Sequence, residues 1–180
     1  HTHEYIRTGS FDSKFGFGIE YLNILFKRIS DTKHLKLKGL HAHIGSQIFE
    51  LDPHRDLGEI MINVLLDAQK FGHDIQKLNV GGGLGIKYTE NDDPPSIDEW
   101  VKTISTSVVK ACKKHNLNLP TLMCEPGRSI VSTAGITIYK IGAFKEIPGI
   151  RTYLSVDGGM SDNPRPCLLY TSPSPRDGLL

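Results

Sequence analysis

Ile75-Gln76-Lys77-Leu78-Asn79-Val80-Gly81-Gly82-Gly83 reads as an apolar β-strand that breaks off in three consecutive glycines. A comparable strand end stands on either side of it. Upstream, residues 35–44 alternate Leu35, Leu37, Leu40, His41 and His43 and run into Ile44-Gly45-Ser46. Downstream, Thr121-Leu122-Met123-Cys124 leads into Glu125-Pro126-Gly127-Arg128. Successive motifs lie roughly forty residues apart, the length of one β-α unit in a parallel fold. Strand ends bearing in turn a His and a Ser, three glycines, and a Glu beside an Arg suggest loops converging on one site. Such a site suits a flat, anionic, phosphorylated cofactor.

The intervals carry helices. Ile19, Leu22, Leu25, Phe26 and Ile29 recur at three and four residues, which predicts an amphipathic helix over 18–30. Asp52 as N-cap and Pro53 at the first position open a second over 52–71, which Gly72 ends. Ser96 caps a third over 97–115, with Asp98 and Glu99 suited to its positive end. A long β-rich stretch is expected over 130–144, a last strand over 153–156, and a strand near the start over 3–8. Strands alternating with helices imply an α/β fold with parallel strands and crossover helices. Functional residues at the C-terminal ends of strands suit barrels and doubly wound sheets alike. The extra strands after Arg128 favour part of a (β/α)8 TIM barrel that then hands the chain to a β-rich neighbour.

The 180 residues suffice for one domain with a core. A net charge of +1 with well-mixed signs argues against a nucleic-acid or membrane-surface partner. Apolar runs such as 61–66 are far too short to span a bilayer, and no signal-like segment follows His1-Thr2-His3-Glu4. Cys112, Cys124 and Cys167 are odd in number and unclustered, which fits a reducing compartment, the cytoplasm or a plastid in a eukaryote. The chain opens without Met in what reads as a strand and closes in the Ser/Pro tract 171–178. It is therefore expected to be a piece of a longer protein. The residues from about Cys167 onward then read as foreign sequence or a disordered tail, with a Pro-rich linker as the alternative.

His41 and His43 share one strand face, and a His-x-His pair at a strand end can offer two imidazoles to zinc. A metal site needs further ligands from other strand ends. The remaining histidines fall in termini, loops or helix ends. A hydrogen-bonded wall position suits His41, and a ring lying flat on an aromatic cofactor suits His43. The glycine run permits φ > 0 and close backbone approach to an anion, but it is neither a Rossmann fingerprint nor a P-loop. Glu125 follows an apolar run, so partial burial and a positive partner such as a protonated pyridine nitrogen are expected. Arg128 can hold a phosphate or carboxylate with its planar fork. In Asp157-Gly158-Gly159-Met160-Ser161-Asp162-Asn163-Pro164-Arg165-Pro166 the prolines stiffen the loop that presents Arg165.

Together with Ser13-Lys14-Phe15-Gly16, the segments His43-Ile44-Gly45-Ser46-Gln47, Gly81-Gly82-Gly83, Glu125-Pro126-Gly127-Arg128 and 156–166 closely resemble the diaminopimelate decarboxylases. These belong to the alanine racemase-like, fold type III group of pyridoxal-phosphate enzymes. The resemblance covers residues 1 to about 166. It implies a partial barrel that binds pyridoxal 5'-phosphate over 1–144, the start of a C-terminal β segment with a substrate loop over 145–166, and a non-native tail over 167–180. It implies His43 stacked on the pyridine ring, Ser46 with Gly82 and Gly83 at the phosphate, and further phosphate contacts from Pro126, Gly127 and Arg128. Glu125 would bond the ring nitrogen, and Arg128 and Arg165 would grip substrate carboxylates. The implied reaction takes carbon dioxide from meso-diaminopimelate to give L-lysine, in a homodimer.

The lysine that these enzymes bond to the cofactor lies upstream of this sequence, and Lys14 is not it. Their C-terminal β-domain, with a catalytic cysteine and an acidic residue, is also missing, and Cys167 does not supply that cysteine. The spacing around Tyr170 departs from the family pattern, so the family's substrate-binding tyrosine is not assigned to it; without the lysine and the β-domain, this chain alone is expected to be inactive. Rival readings are a decarboxylase of ornithine, arginine or carboxynorspermidine, a metal-dependent barrel hydrolase using His41 and His43, and a non-enzymatic vitamin B6-binding homologue.

Overall fold

Three short strands, β1 (Gly39–His41), β2 (Lys77–Asn79) and β3 (Thr121–Met123), pair in parallel in the order β1-β2-β3. They belong to a computed structural model that describes residues 14–159 and 161–162. The strand expected over 3–8, Arg165 and the tail from Cys167 lie outside the described residues. The register aligns Leu40, Leu78 and Leu122 in one row and His41, Asn79 and Met123 in the next. Neighbouring rows point to opposite faces of a sheet. The leucine row faces the core, with Leu78 fully buried, while His41 and Met123 are exposed on the other face.

The strands are shorter than the alternating pattern suggested. The Lys38 carbonyl accepts from both Gln76 N–H and Lys77 N–H, an irregular start that delays the ladder to Gly39. Beyond the strands the pairing continues into the loops, through Ala42 N–H to Asn79 O, Val80 N–H to Met123 O and Glu125 N–H to Gly81 O.

The helices fall where expected. A 3-10 turn at Ile19–Tyr21 leads into α1 (Leu22–Ser30); α2 (Asp52–Lys70) and α3 (Ile97–Lys114) follow. Helix α2 buries Leu57, Met61, Ile62, Leu65 and Ala68, and α3 buries Trp100, Ile104, Val108, Ala111 and Cys112. That three-and-four spacing is one apolar stripe on each helix, packed against the leucine row of the sheet. Each large side chain so buried contributes about 1.5–3 kcal/mol. Leu51, not Asp52, is the N-cap of α2, and Asp52 sits in the first turn. Gly72, at φ +83°, stops it. The Ser96 cap is reciprocal: Ser96 Oγ accepts from Glu99 N–H at 3.2 Å, and the Glu99 carboxylate accepts from Ser96 N–H at 2.8 Å.

The strand expected from residue 130 is replaced by a helical turn, α4 (Arg128–Val131), and a 3-10 turn at Ser132–Ala134. The Gly127 carbonyl accepts from both Ile130 N–H and Val131 N–H. This local closure overrides the β preference of two branched residues, which reports packing more than backbone bias. One compact unit ends at Ala134 and a second begins at Gly135. The second is built on an antiparallel hairpin of β4 (Ile141–Ile147) and β5 (Arg151–Val156), turned through Pro148-Gly149 with Gly149 at φ +72°. Asp157 closes its open end by accepting from Lys140 N–H at 2.8 Å.

Candidate active site

The glycine run brings three loops together. A Cβ on Gly81 would lie 2.8 Å from Ala42 O and 2.9 Å from His43 Nδ1, at a φ of +68°. One on Gly82 would strike the Glu125 carbonyl oxygen, and one on Gly83 would lie 2.6 Å from Gly45 O. The space a side chain would need is thus filled by backbone from the loops after β1 and β3. Two of the amides also have protein partners: Gly81 N–H donates to Asn79 Oδ1 at 2.9 Å, and Gly82 N–H donates to His43 Nδ1 at 3.3 Å. Because a backbone N–H can only donate, neutral His43 carries its proton on Nε2.

Glu125 stands two residues beyond Met123, on the open face of the sheet, and its side chain is 57% exposed. The expectation of a partly buried carboxylate fails because Met123 and Cys124 are themselves exposed; only Leu122 turns inward. The carboxylate is nevertheless engaged. Oε1 accepts from Asn79 Nδ2 at 2.8 Å and Oε2 from His41 Nε2 at 3.3 Å. The Asn79 hydrogen bond is the main cause that holds its pKa below the usual carboxylate range; partial desolvation opposes it, and His41 and His43 add to the lowering. Glu125 is therefore an anion at neutral pH. His41, expected as a packed wall residue, is 53% exposed and turns its ring to Glu125.

Two cavities share His43 and Glu125 as walls. The smaller, about 160 Å³, is lined by Ser46, Gln47 and Gly83 on one side and by Pro126, Gly127 and Arg128 on the other. The larger, about 540 Å³, is bounded by Phe15, Phe17, His41 and Ala42. Gln47 ties the rim together from a backbone at φ +58°. Its Nε2 donates to Ile86 O at 2.7 Å, while Oε1 accepts from Ile86 N–H and from Arg128 Nη1, each at 3.2 Å. The smaller cavity, with a hydroxyl and a guanidinium, suits a compact anion. The larger falls in the size range of small-molecule sites and offers aromatic walls and one carboxylate. A planar cationic ring bearing a phosphate matches this donor set.

Of the residues singled out from sequence, His43, Ser46, Gly83, Glu125, Pro126, Gly127 and Arg128 meet around the smaller cavity. Gly82 contributes through its bond to His43. Asn79 and Gln47 carry the contacts that sequence reasoning missed. The signal for Asn79 lay in its strand parity, which places it on the face of His41 and Glu125. Gln47 stood in the quoted motif without a role. Among the described residues, no three His, Cys, Asp or Glu side chains gather as a metal-binding group.

Residues 1–132 match the family model described as pyridoxal-dependent decarboxylase, pyridoxal binding domain, and the chain belongs to this family. Several curated relatives carry the name diaminopimelate decarboxylase. That of Synechocystis sp. is 55% identical over 166 residues, covering 92% of this chain. That of Staphylococcus aureus is 44% identical over 170 residues, covering 93%. Among solved structures, the diaminopimelate decarboxylase of Helicobacter pylori complexed with L-lysine superposes with a TM-score of 0.78 at 30% identity, covering 93% of this chain and 40% of that one. The chain spans 35% and 40% of the lengths of the Synechocystis and Staphylococcus relatives.

Proposed function

We propose that this chain is the cofactor-binding part of a diaminopimelate decarboxylase, in which β1, β2 and β3 are consecutive strands of a (β/α)8 barrel. The observation that carries the proposal is an anionic Glu125 facing an aromatic-walled cavity, one step from a small cavity with Ser46 and Arg128. The residues fit pyridoxal 5'-phosphate. Ser46, Gly83 and the backbone from Gly127 to Arg128 would hold its phosphate, His43 would lie against its ring, and Glu125 would keep a proton on the ring nitrogen. When bound, the cofactor supplies an electron sink for the pair left behind as a carboxylate departs as carbon dioxide.

The chain's own residues prepare that step. The Gly82 amide fixes the ring orientation and tautomer of His43. Gln47 holds Arg128 against the rim. His41 and Asn79 hold Glu125 as an anion, so a proton shared with the ring nitrogen stays on the ring. Arg128 and Arg165 would take substrate carboxylates. The named relatives support meso-diaminopimelate as substrate and L-lysine as product, with a homodimer and a cytoplasmic or plastid location as further expectations. The 1–144, 145–166 and 167–180 divisions are proposed with it.

The test uses the full-length protein. It should bind pyridoxal phosphate and release carbon dioxide from meso-diaminopimelate in preference to ornithine, arginine or carboxynorspermidine. Glu125→Ala should lower kcat by orders of magnitude while cofactor binding persists; near-normal turnover would remove Glu125 from its role. Stoichiometric zinc in the purified protein would overturn the cofactor assignment.

A further inference from the structure

Glu125 is held in a closed circuit of three hydrogen bonds. Gly81 N–H donates to Asn79 Oδ1 at 2.9 Å, Asn79 Nδ2 donates to Glu125 Oε1 at 2.8 Å, and Glu125 N–H donates to Gly81 O at 2.7 Å. The circuit joins the end of β2 to the loop after β3. It also settles the orientation of the Asn79 amide. Gly81 N–H is a fixed donor and demands the carbonyl oxygen, so the amide nitrogen must face Glu125. A flipped amide would set two donors against each other and bring two oxygens together.

We infer that Asn79 is a positioning residue for the reaction: it aims the Glu125 carboxylate and presents it as an anion to the ring nitrogen of the cofactor. This role rests on the pyridoxal phosphate assignment. Asn79 contacts Glu125 and Gly81 rather than the reacting atoms, so its effect passes through Glu125. Among the described residues, the charged or titratable groups that act on Glu125 are His41 from β1 and His43 from the loop after it. Asn79 offers a donor at every pH, which makes it the constant part of the arrangement. The amide is half-buried and held at both ends, so its geometry is preorganised before any ligand arrives.

The test compares Asn79→Asp with Asn79→Ala in the full-length protein. Aspartate keeps the size of the side chain and the acceptor for Gly81 N–H, removes the donor to Glu125, and sets a second carboxylate beside the first. It therefore decides the matter even if the alanine variant folds poorly. In cofactor-free protein with 13C-labelled glutamate side chains, the Glu125 signal is assigned by its loss in Glu125→Gln. Its titration midpoint should move to higher pH in Asn79→Ala and further in Asn79→Asp. In the loaded enzyme, kcat should fall about ten- to a hundredfold, the worth of one hydrogen bond to a charged group, with KM within about twofold. The acid limb of the kcat profile should move with the Glu125 midpoint. An unmoved midpoint, or an unchanged kcat, overturns the role of Asn79. Failure of the unsubstituted protein to bind pyridoxal phosphate overturns the proposed function instead, and the Glu125 titration distinguishes the two.

Discussion

Replacing Gly81 and Gly127 by alanine, one at a time, should give opposite phenotypes. At Gly81 the backbone φ is +68°, a left-handed conformation that costs an alanine about 1–2 kcal/mol. The new methyl would also lie 2.8 Å from Ala42 O and 3.0 Å from His43 Cα, both backbone atoms that a side-chain rotation cannot clear. Forcing the loop after β1 outward adds the usual cost of overpacking, about 1–3 kcal/mol. The sum, about 2–5 kcal/mol, is a large share of the 5–15 kcal/mol that holds a typical domain together. At Gly127 the φ is −106°, open to any residue, and an added Cβ would meet nothing within 4 Å. Its alanine variant should stay within about 0.5 kcal/mol of the parent. Gly127 lines the 160 Å³ cavity, so the same methyl should weaken pyridoxal phosphate by about tenfold, which corresponds to 1.4 kcal/mol. Urea denaturation of the cofactor-free full-length protein reads the first quantity, and a cofactor titration reads the second. A Gly81→Ala protein as stable as the parent would refute the argument, as would a Gly127→Ala protein that unfolds early but binds normally.

Further outcomes follow from residues away from the rim. His54 is wholly buried, and neither ring nitrogen has a hydrogen-bond partner among the described residues. Burial first, and the charge on His43 second, hold its pKa below 6.5. The unfolded chain then takes up a proton that the folded chain refuses, so stability is full above about pH 6.5 and declines as pH falls through the window below it. His54→Leu should flatten that decline and, by removing two unsatisfied polar atoms, match or exceed the parent at pH 7.5; a loss above about 1 kcal/mol would reveal a partner for the imidazole. Ser96→Ala breaks the reciprocal cap of α3 and should cost about 1 kcal/mol, measurable as a lower urea midpoint with an unchanged slope.

The helices were legible because their signals are local. The apolar stripes of α2 and α3, the stop at Gly72 and the Ser96–Glu99 pair each depend on residues within a few positions of one another. The strands were legible in place but not in length, since alternation around Leu35 and Leu37 says nothing of where a partner begins to pair. At Ile130 and Val131 a branched-residue preference gave way to two hydrogen bonds onto the Gly127 carbonyl. The site was legible as a set of strand ends and not as a network. That Glu125 follows apolar residues suggested burial, yet Leu122 and Met123 face opposite ways, and Glu125 continues the Met123 face. The Asn79 contact depends on inter-strand register, a long-range quantity that one sequence does not contain.

The interleaving of core-facing and open-face rows in the sheet has an evolutionary and engineering consequence. Residues that keep the sheet folded, Leu40, Leu78 and Leu122, alternate with those that look onto the open side, His41, Asn79 and Met123. A change on the open face therefore leaves the leucine row and its core packing untouched, although His41 and Asn79 are tied to Glu125. Met123, exposed and outside the Glu125 circuit, is the natural first position to randomise. A library at that position should be drawn from a population that still folds, because the Met123 side chain stands outside the buried core.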